Sequence, residues 1–164
     1  MSEQFVDNEF MVDGEEVQRA TIDDTKILHL VFRVEDEDYA LSVLEVTDIL
    51  TYQNQKVRRV PKTPNYLKGI LNVRGDIIPL VCVRTKFMKP VKEADFETCI
   101  LKVVYEDYTL GLIVDRVVGT EKIMPDQIKP PPNAKLSYSN QFIKSVGVVN
   151  DQVRMIISLE KLIF

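Results

Sequence analysis

The chain is short of the residues that carry metal and redox chemistry. It has two cysteines and one histidine in 164 residues, too few for a disulfide framework or a Cys/His zinc site. It lacks an uninterrupted apolar run of roughly 18 residues, so no helix is expected to span a membrane or insert directly into one. No basic start followed by an apolar stretch marks a secretory signal. Neither GxGxxG nor GxxxxGK[ST] occurs, so there is no recognisable loop to cradle phosphate. What is there is ordinary for a globular protein: 45% hydrophobic and 28% charged residues. The expectation is one soluble cytoplasmic domain, or two very small subdomains sharing a core, with enough apolar material to fold without staples.

Charge is unevenly placed. Residues 1–26 carry eight acids and two bases, and residues 27–55 six acids and one base. Residues 56–92 reverse this with ten bases against one acid, and residues 93–164 hold ten acids and eight bases. The first 26 residues read as a weakly ordered tail, because Phe5, Val6, Phe10, Met11 and Val12 supply too little apolar surface to offset ordering entropy. A short helix around Glu15–Ala20 is conceivable but has no support from length.

From Ile27 onward the signals are short β-type runs. Leu28–Val34 and Tyr39–Val43 flank a charged turn; Gly69–Val73 and Ile77–Val83 flank Arg74-Gly75-Asp76. Thr98–Tyr105 and Thr109–Val114 flank Glu106-Asp107-Tyr108, and Val146–Val149 and Val153–Ile157 flank Asn150-Asp151-Gln152. Four hairpins follow, with a further short run at Val57–Val60. Pro79 inside a strand predicts an edge or a bulge, since proline donates no ladder hydrogen bond. Helical signal is limited to a turn at Pro64–Leu67 and a last helix after Ser158, the residue expected to cap it. Lys129-Pro130-Pro131-Pro132-Asn133 predicts a rigid, extended connection.

The chain also resembles itself. Shifted by 69 residues, Val31–Val43 faces Ile100–Leu112 with five identities in thirteen positions: Val34/Val103, Glu37/Glu106, Asp38/Asp107, Tyr39/Tyr108 and Leu41/Leu110. Shifted by 78, Gly69–Asn72 faces Gly147–Asn150. Two copies of one small β-barrel account for this, each too small to be comfortable alone. The competing account is that alternating strands match by pattern without common origin. The expected division is about 27–90 for the first barrel and 91–164 for the second, with exchange of strands between them allowed.

Candidate chemistry is sparse. Cys82 and Cys99 sit in apolar runs and read as small core residues. His29 alternates within a strand and has no nucleophile or acid beside it in a known pattern. Asp115 has no paired carboxylate at useful spacing and is expected to end a strand or pair with Arg116. The basic block, Lys56 to Lys92, could follow a phosphate backbone. Only Tyr66 and Phe87 interleave with it, however, and no aromatic stacking motif of the RNP kind is present. A solvated rim or an acidic protein partner is the preferred use, with a small-barrel nucleic-acid-binding protein as the alternative.

Four segments together resemble the CheW-like chemotaxis coupling proteins: Asp38–Val43 through Val46–Ile49; Val60-Pro61 through Pro64–Gly69; Asn72-Val73-Arg74-Gly75-Asp76 through Pro79; and Gly111–Val117 with Ile128–Pro131. The resemblance covers about residues 27–164. It implies an all-β fold of two SH3-like five-stranded β-barrels packed side by side, with short helices including one at the C-terminus. It implies no catalysis, no metal and no cofactor. The implied partners are the helical hairpin at the chemoreceptor's cytoplasmic tip and the regulatory domain of the histidine kinase CheA, with no nucleic acid. Residue by residue, Val46, Asp48, Ile49, Lys68, Gly69, Asn72, Arg74 and Gly75 match the receptor-binding stretch. Gly111, Leu112 and Val114 match a strand where contact with the kinase is expected. Cys82 and Ser158-Leu159-Glu160 depart from the family's usual acids, and the acidic tail is extra. A CheV-like adaptor would need a receiver domain as well, so a free-standing coupler is the expectation.

Overall fold

A computed structural model describes residues 24–131, 133 and 138–164. The tail through residue 23, with the helix considered at Glu15–Ala20, and Pro132 lie outside the described residues. The described chain begins with a single helical turn, α1 (Asp24–Ile27), which buries Ile27. It continues through β1 (Leu28–Val34), β2 (Glu37–Ser42), β3 (Val46–Thr51), β4 (Leu67–Val73), β5 (Asp76–Cys82) and α2 (Val83–Lys86). Then come β6 (Cys99–Tyr105), β7 (Tyr108–Val114), β8 (Arg116–Lys122), β9 (Ile128–Lys129), β10 (Ile143–Val149), β11 (Gln152–Ile157) and α3 (Leu159–Ile163).

The four expected hairpins are present, each closed by a two-residue turn whose first residue has positive φ: Glu35 59°, Arg74 53°, Glu106 53° and Asn150 52°. In Arg74-Gly75 (53° and 93°) and Asn150-Asp151 (52° and 65°) both turn residues are left-handed, the twist that matches paired strands. α3 starts where expected, with Ser158 Oγ accepting from the Lys161 N–H at 3.3 Å. Pro79 does not lie on an edge strand, since β5 sits between β4 and β7. Pairing with β7 begins only at Leu80, and β4 shifts register opposite, between Leu67 and Gly69. Other expectations change. Val57–Val60 contributes only a bridge between Arg58 and Ile70, whereas Pro64–Leu67 is the expected turn, closed by the Leu67 N–H on the Pro64 carbonyl. Cys82 and Cys99 are half-buried rather than core residues.

The strands form two sheets, ordered β8-β1-β2-β11-β10-β9 and β3-β6-β7-β5-β4. Setting aside the two-residue edge strand β9, which makes the first sheet six-stranded, the two orders correspond: β8 to β3, β1 to β6, β2 to β7, β11 to β5 and β10 to β4. Each sheet has its one parallel pair in the same place, β11 with β2 and β5 with β7. This repeated order is the structural counterpart of the internal sequence similarity. The sheets do not divide near residue 90, however. The second sheet is one continuous stretch, β3 to β7, while the first takes β1 and β2 from one end of the chain and β8 to β11 from the other.

Three apolar clusters result. Leu71, Val73, Ile78, Leu80 and Ile100 pack within the second sheet, and Ala40, Ile123, Val149 and Ile156 within the first. The largest lies between the sheets: Phe32, Tyr39 and Leu41 meet Leu101, Leu110 and Leu112, closed over by Phe87, Phe142, Leu159 and Leu162. β1, β2, β6 and β7 are therefore covered on both faces. That is why they read as nearly unbroken apolar runs rather than as alternation. Each large side chain withdrawn from water contributes about 1.5–3 kcal/mol, so the shared cluster holds the two sheets as one unit. His29 is buried within β1, its Nδ1 2.8 Å from the Ile27 carbonyl oxygen.

The chain passes from one sheet to the other twice, through Val43–Glu45 and through a single residue, Asp115. Asp115 follows the last residue of β7, in line with the expected strand end, and pairs with Arg84 rather than with Arg116. Arg84 Nε and Nη2 donate to its two oxygens at 2.8 and 2.6 Å. The Glu35 N–H donates to Asp115 Oδ2 at 2.8 Å, and Arg84 Nη1 to the Pro90 carbonyl at 2.8 Å. Burial works to push the Asp115 carboxyl up, but the Arg84 hydrogen bonds, then the Glu35 N–H and the nearby cations, outweigh it and bring it below the ordinary carboxylate value.

Candidate functional site

β3 alternates half-buried and exposed residues in the run Val46-Thr47-Asp48-Ile49-Leu50-Thr51, the pattern of an edge strand with one side in solvent. It lies along the junction of the two sheets. There a cleft of about 320 Å³ is lined by Val43, Val46, Thr47, Asp48 and Ile49 on one side and by Leu30 of β1 and Thr120 of β8 on the other. The floor is aliphatic and the rim is polar. Ile49, 47% exposed, stands open to solvent. A cleft of this kind offers apolar contact with a few orienting hydrogen bonds, here from Thr47, Asp48 and Thr120.

The turn after β4 meets this edge. Arg74 Nη1 lies 3.5 Å from Asp48 Oδ2, with the arginine side chain 79% exposed and the aspartate 14%. The Gly75 N–H donates to Asn72 Oδ1 at 2.9 Å, so Asn72 braces the turn from inside the hairpin. Gly75 accepts φ 93° at little cost because it has no Cβ. The result is a guanidinium held out from a tight turn, tethered loosely to β3 and still free to donate elsewhere.

Of the expected residues, the structure brings together Val46, Asp48 and Ile49 on β3 with Asn72, Arg74 and Gly75 at the adjoining turn. Lys68 and Gly69 lie toward the other end of β4, with Lys68 about 20 Å from Arg74 at roughly 3.3 Å per residue. A Cβ on Gly69 would stand 2.3 Å from the Arg58 carbonyl oxygen, so glycine is there for close packing of the chain. Gly111, Leu112 and Val114 are corrected. All three are buried in β7; Leu112 and Val114 belong to the cluster between the sheets, and a Cβ on Gly111 would press on Leu80 and Ile100 at 2.6 and 2.8 Å. They hold the core and offer no surface to a partner. Sequence reasoning missed Leu30, Val43, Thr47 and Thr120. No sequence signal marked Thr120, because the correspondence of β8 with β3 is visible only in the order of the sheets.

The basic block does not form one face. Arg74, Arg84, Lys89 and Lys92 are paired with acids, and Lys86 sits over the Tyr66 ring at 3.9 Å. Phe87 is buried, which removes one of the two aromatics a stacking platform would need. Among the described residues no three His, Cys, Asp or Glu side chains gather as a metal site. Among them, too, no helix is long and apolar enough to cross a membrane.

These features agree with comparisons to known proteins. The CheW-like domain model matches residues 28–163. The chemotaxis protein CheW of Helicobacter pylori is 31% identical over 142 residues, covering 86% of this chain and 84% of that one. CheW of Klebsiella aerogenes is 27% identical over 134 residues, 82% of this chain and 80% of that one. The crystal structure of the scaffolding protein TtCheW from Thermoanaerobacter tengcongensis superposes with a TM-score of 0.77 at 27% identity, covering 84% of this chain and 92% of the other. With its two corresponding sheets and the junction between them matched along nearly its whole described length, the chain belongs to the CheW-like family of chemotaxis scaffold proteins.

Proposed function

We propose that this protein is a non-enzymatic cytoplasmic adaptor that couples chemoreceptors to the histidine kinase CheA. The cleft beside β3 takes the apolar stripe of the receptor's helical hairpin tip, as amphipathic helices dock into apolar grooves. Leu30, Val46 and Ile49 form its aliphatic bed, and Arg74 at the rim supplies a charge-assisted hydrogen bond to a carboxylate or helix-end carbonyl. The single observation that carries this reading is the position of Arg74: largely exposed, fixed on a tight turn, and within 3.5 Å of Asp48 on the strand that lines the cleft. The kinase contact is left to exposed surface other than the buried residues of β7.

The test is binding of Arg74→Ala to the receptor's cytoplasmic hairpin and, separately, to CheA. A hydrogen bond to a charged group contributes about 1.5–3 kcal/mol, so affinity for at least one partner is expected to fall roughly ten- to hundredfold. The melting temperature is expected to stay put, because the side chain is mostly in solvent. Unchanged affinity for both partners refutes the assignment of Arg74. Unchanged receptor affinity in Ile49→Glu as well refutes the cleft.

A further inference from the structure

The bases of the central block that have no partner gather in one place. Lys56, Arg58, Arg59 and Lys62 are exposed on the connection between β3 and β4, and Lys68 is half-buried near the start of β4. None of the five has a carboxylate within ion-pair distance among the described residues, in contrast to Arg74, Arg84, Lys89 and Lys92. A cleft of about 440 Å³ opens beside them, lined by the apolar Val60, Pro61, Pro64 and Leu67 together with Arg59, Thr63, Asn65 and Lys68. The site therefore combines uncompensated positive charge with apolar surface. Its ligand should carry carboxylates and apolar side chains together.

The chain contains such a segment. Residues 1–23 hold seven acids and one arginine. Their apolar residues are concentrated in Phe5, Val6, Phe10, Met11 and Val12, interleaved with Asp7 and Glu9 and bounded by Glu3 and Asp13. We propose that this acidic N-terminal segment docks in the basic cleft of its own chain, placing carboxylates on Arg59, Lys68 and the neighbouring bases and apolar side chains against Val60 and Leu67. Reach is ample. The segment joins the fold at Asp24, which is 3.5 Å from Lys122 at the end of β8. Twenty-three residues span up to about 75 Å when extended, against a radius of gyration of about 14 Å for a fold of this size. Tethering also raises the local concentration of the segment to roughly millimolar, so weak contacts suffice. A docked segment excludes other anionic ligands from Arg59 and Lys68. The docking does not rest on the proposed function.

The experiment compares amide NMR spectra of the full chain with those of a full-chain variant carrying Glu3→Gln, Asp7→Asn, Glu9→Gln, Asp13→Asn, Glu15→Gln and Glu16→Gln. These positions lie outside the described residues. At about 0.01 M salt, where the Debye length is about 30 Å, the amides of residues 56–68 are expected to differ between the two proteins while the rest of the sheets coincide. At about 1 M salt, where it is about 3 Å, the two spectra should converge over that stretch. A second variant, Arg58→Glu with Arg59→Glu and Lys62→Glu, should shift the amides of residues 3–16 in an otherwise native tail. Coincident spectra at low salt, differences located outside residues 56–68, or differences that grow with protein concentration, which would place the segment on a second copy, each overturn the proposal.

Discussion

Replacing Asp115 with alanine is expected to remove about 3–5 kcal/mol of folding stability, the usual loss when one partner of a buried ion pair is deleted and the other charge is left behind. At about 2–4 °C per kcal/mol for a chain of this length, the melting temperature should fall by roughly 6–20 °C. The effect is large because of where the residue sits. Asp115 alone joins β7 of one sheet to β8 of the other. Its carboxylate is shared by two Arg84 nitrogens from α2, which follows the neighbouring strand β5, and by the Glu35 N–H from the β1–β2 turn of the first sheet. The alanine variant strands the Arg84 guanidinium, 14% exposed, with only the Pro90 carbonyl as acceptor. The double replacement Asp115→Leu with Arg84→Met should recover much of the loss, because it removes both charges together. The pH dependence has a defined sign. The Asp115 carboxyl titrates below its ordinary value in the folded protein, so its contribution is fully present above the unfolded-state value of about 3.9 and disappears as pH falls through the folded-state value. Urea unfolding of the native protein and Asp115→Asn should therefore give curves that draw together in acid. A midpoint within a degree of native for Asp115→Ala at neutral pH would remove the crossover lock from this account.

Gly69→Ala is the second large effect, expected to lower stability by about 3 kcal/mol. Two terms combine. The residue has φ 148°, in a region used almost only by glycine, where a side chain brings strain of order 1–3 kcal/mol. Its missing Cβ also makes room for the chain opposite: an added carbon would lie 2.3 Å from the Arg58 oxygen and 2.9 Å from Val57 Cγ1. That oxygen accepts the Ile70 N–H at 2.8 Å, while the Arg58 N–H donates to the Ile70 carbonyl at 3.0 Å. Because the obstacle is backbone, it cannot swing aside as a side chain would, and forced packing of this sort typically adds about 1–3 kcal/mol. The bridge between residues 58 and 70 should open, releasing the basic connection from β4. Differential scanning calorimetry reads the loss, and amide exchange at Arg58 and Ile70 reads the opening. Native-like protection at both amides would refute the mechanism even if stability fell.

Much of the fold was legible because its signals are local. Each of the four hairpins follows from a pair of β-rich runs separated by residues that tolerate positive φ, such as Arg74-Gly75 and Asn150-Asp151. The helix after Ser158 follows from a capping hydroxyl before an apolar pair, Leu159 and Leu162. β3 and β8 escaped notice because half of each strand faces solvent. Val46–Thr51 and Arg116–Lys122 mix polar and apolar residues, and only their pairing with β6 and β1 makes them strands. The assignment of Gly111, Leu112 and Val114 to a partner surface failed for a related reason. An apolar strand reads the same whether it meets another protein or the protein's own core, and burial on both faces of β7 is not visible in its residues. Asp115 was expected to end a strand or pair with Arg116; it does follow the end of β7, but its ion partner is Arg84, because sequence shows only adjacency whereas Arg84 reaches it through the fold.

The amino-acid order by itself determined the hairpins, the doubling of one small β unit, the exposed arginine at a tight turn and the separation of an acidic start from a basic middle, since each depends on spacing, turn chemistry or composition within a short stretch. Tertiary structure alone decided which hairpin joins which sheet, and so where the chain crosses over. It also decided that β3 borders a cleft shared with β1 and β8, and which bases are neutralised and which are left open. Those outcomes depend on contacts between residues far apart in the chain, whose free energy comes from burying apolar surface between the two sheets and pairing the charges that remain.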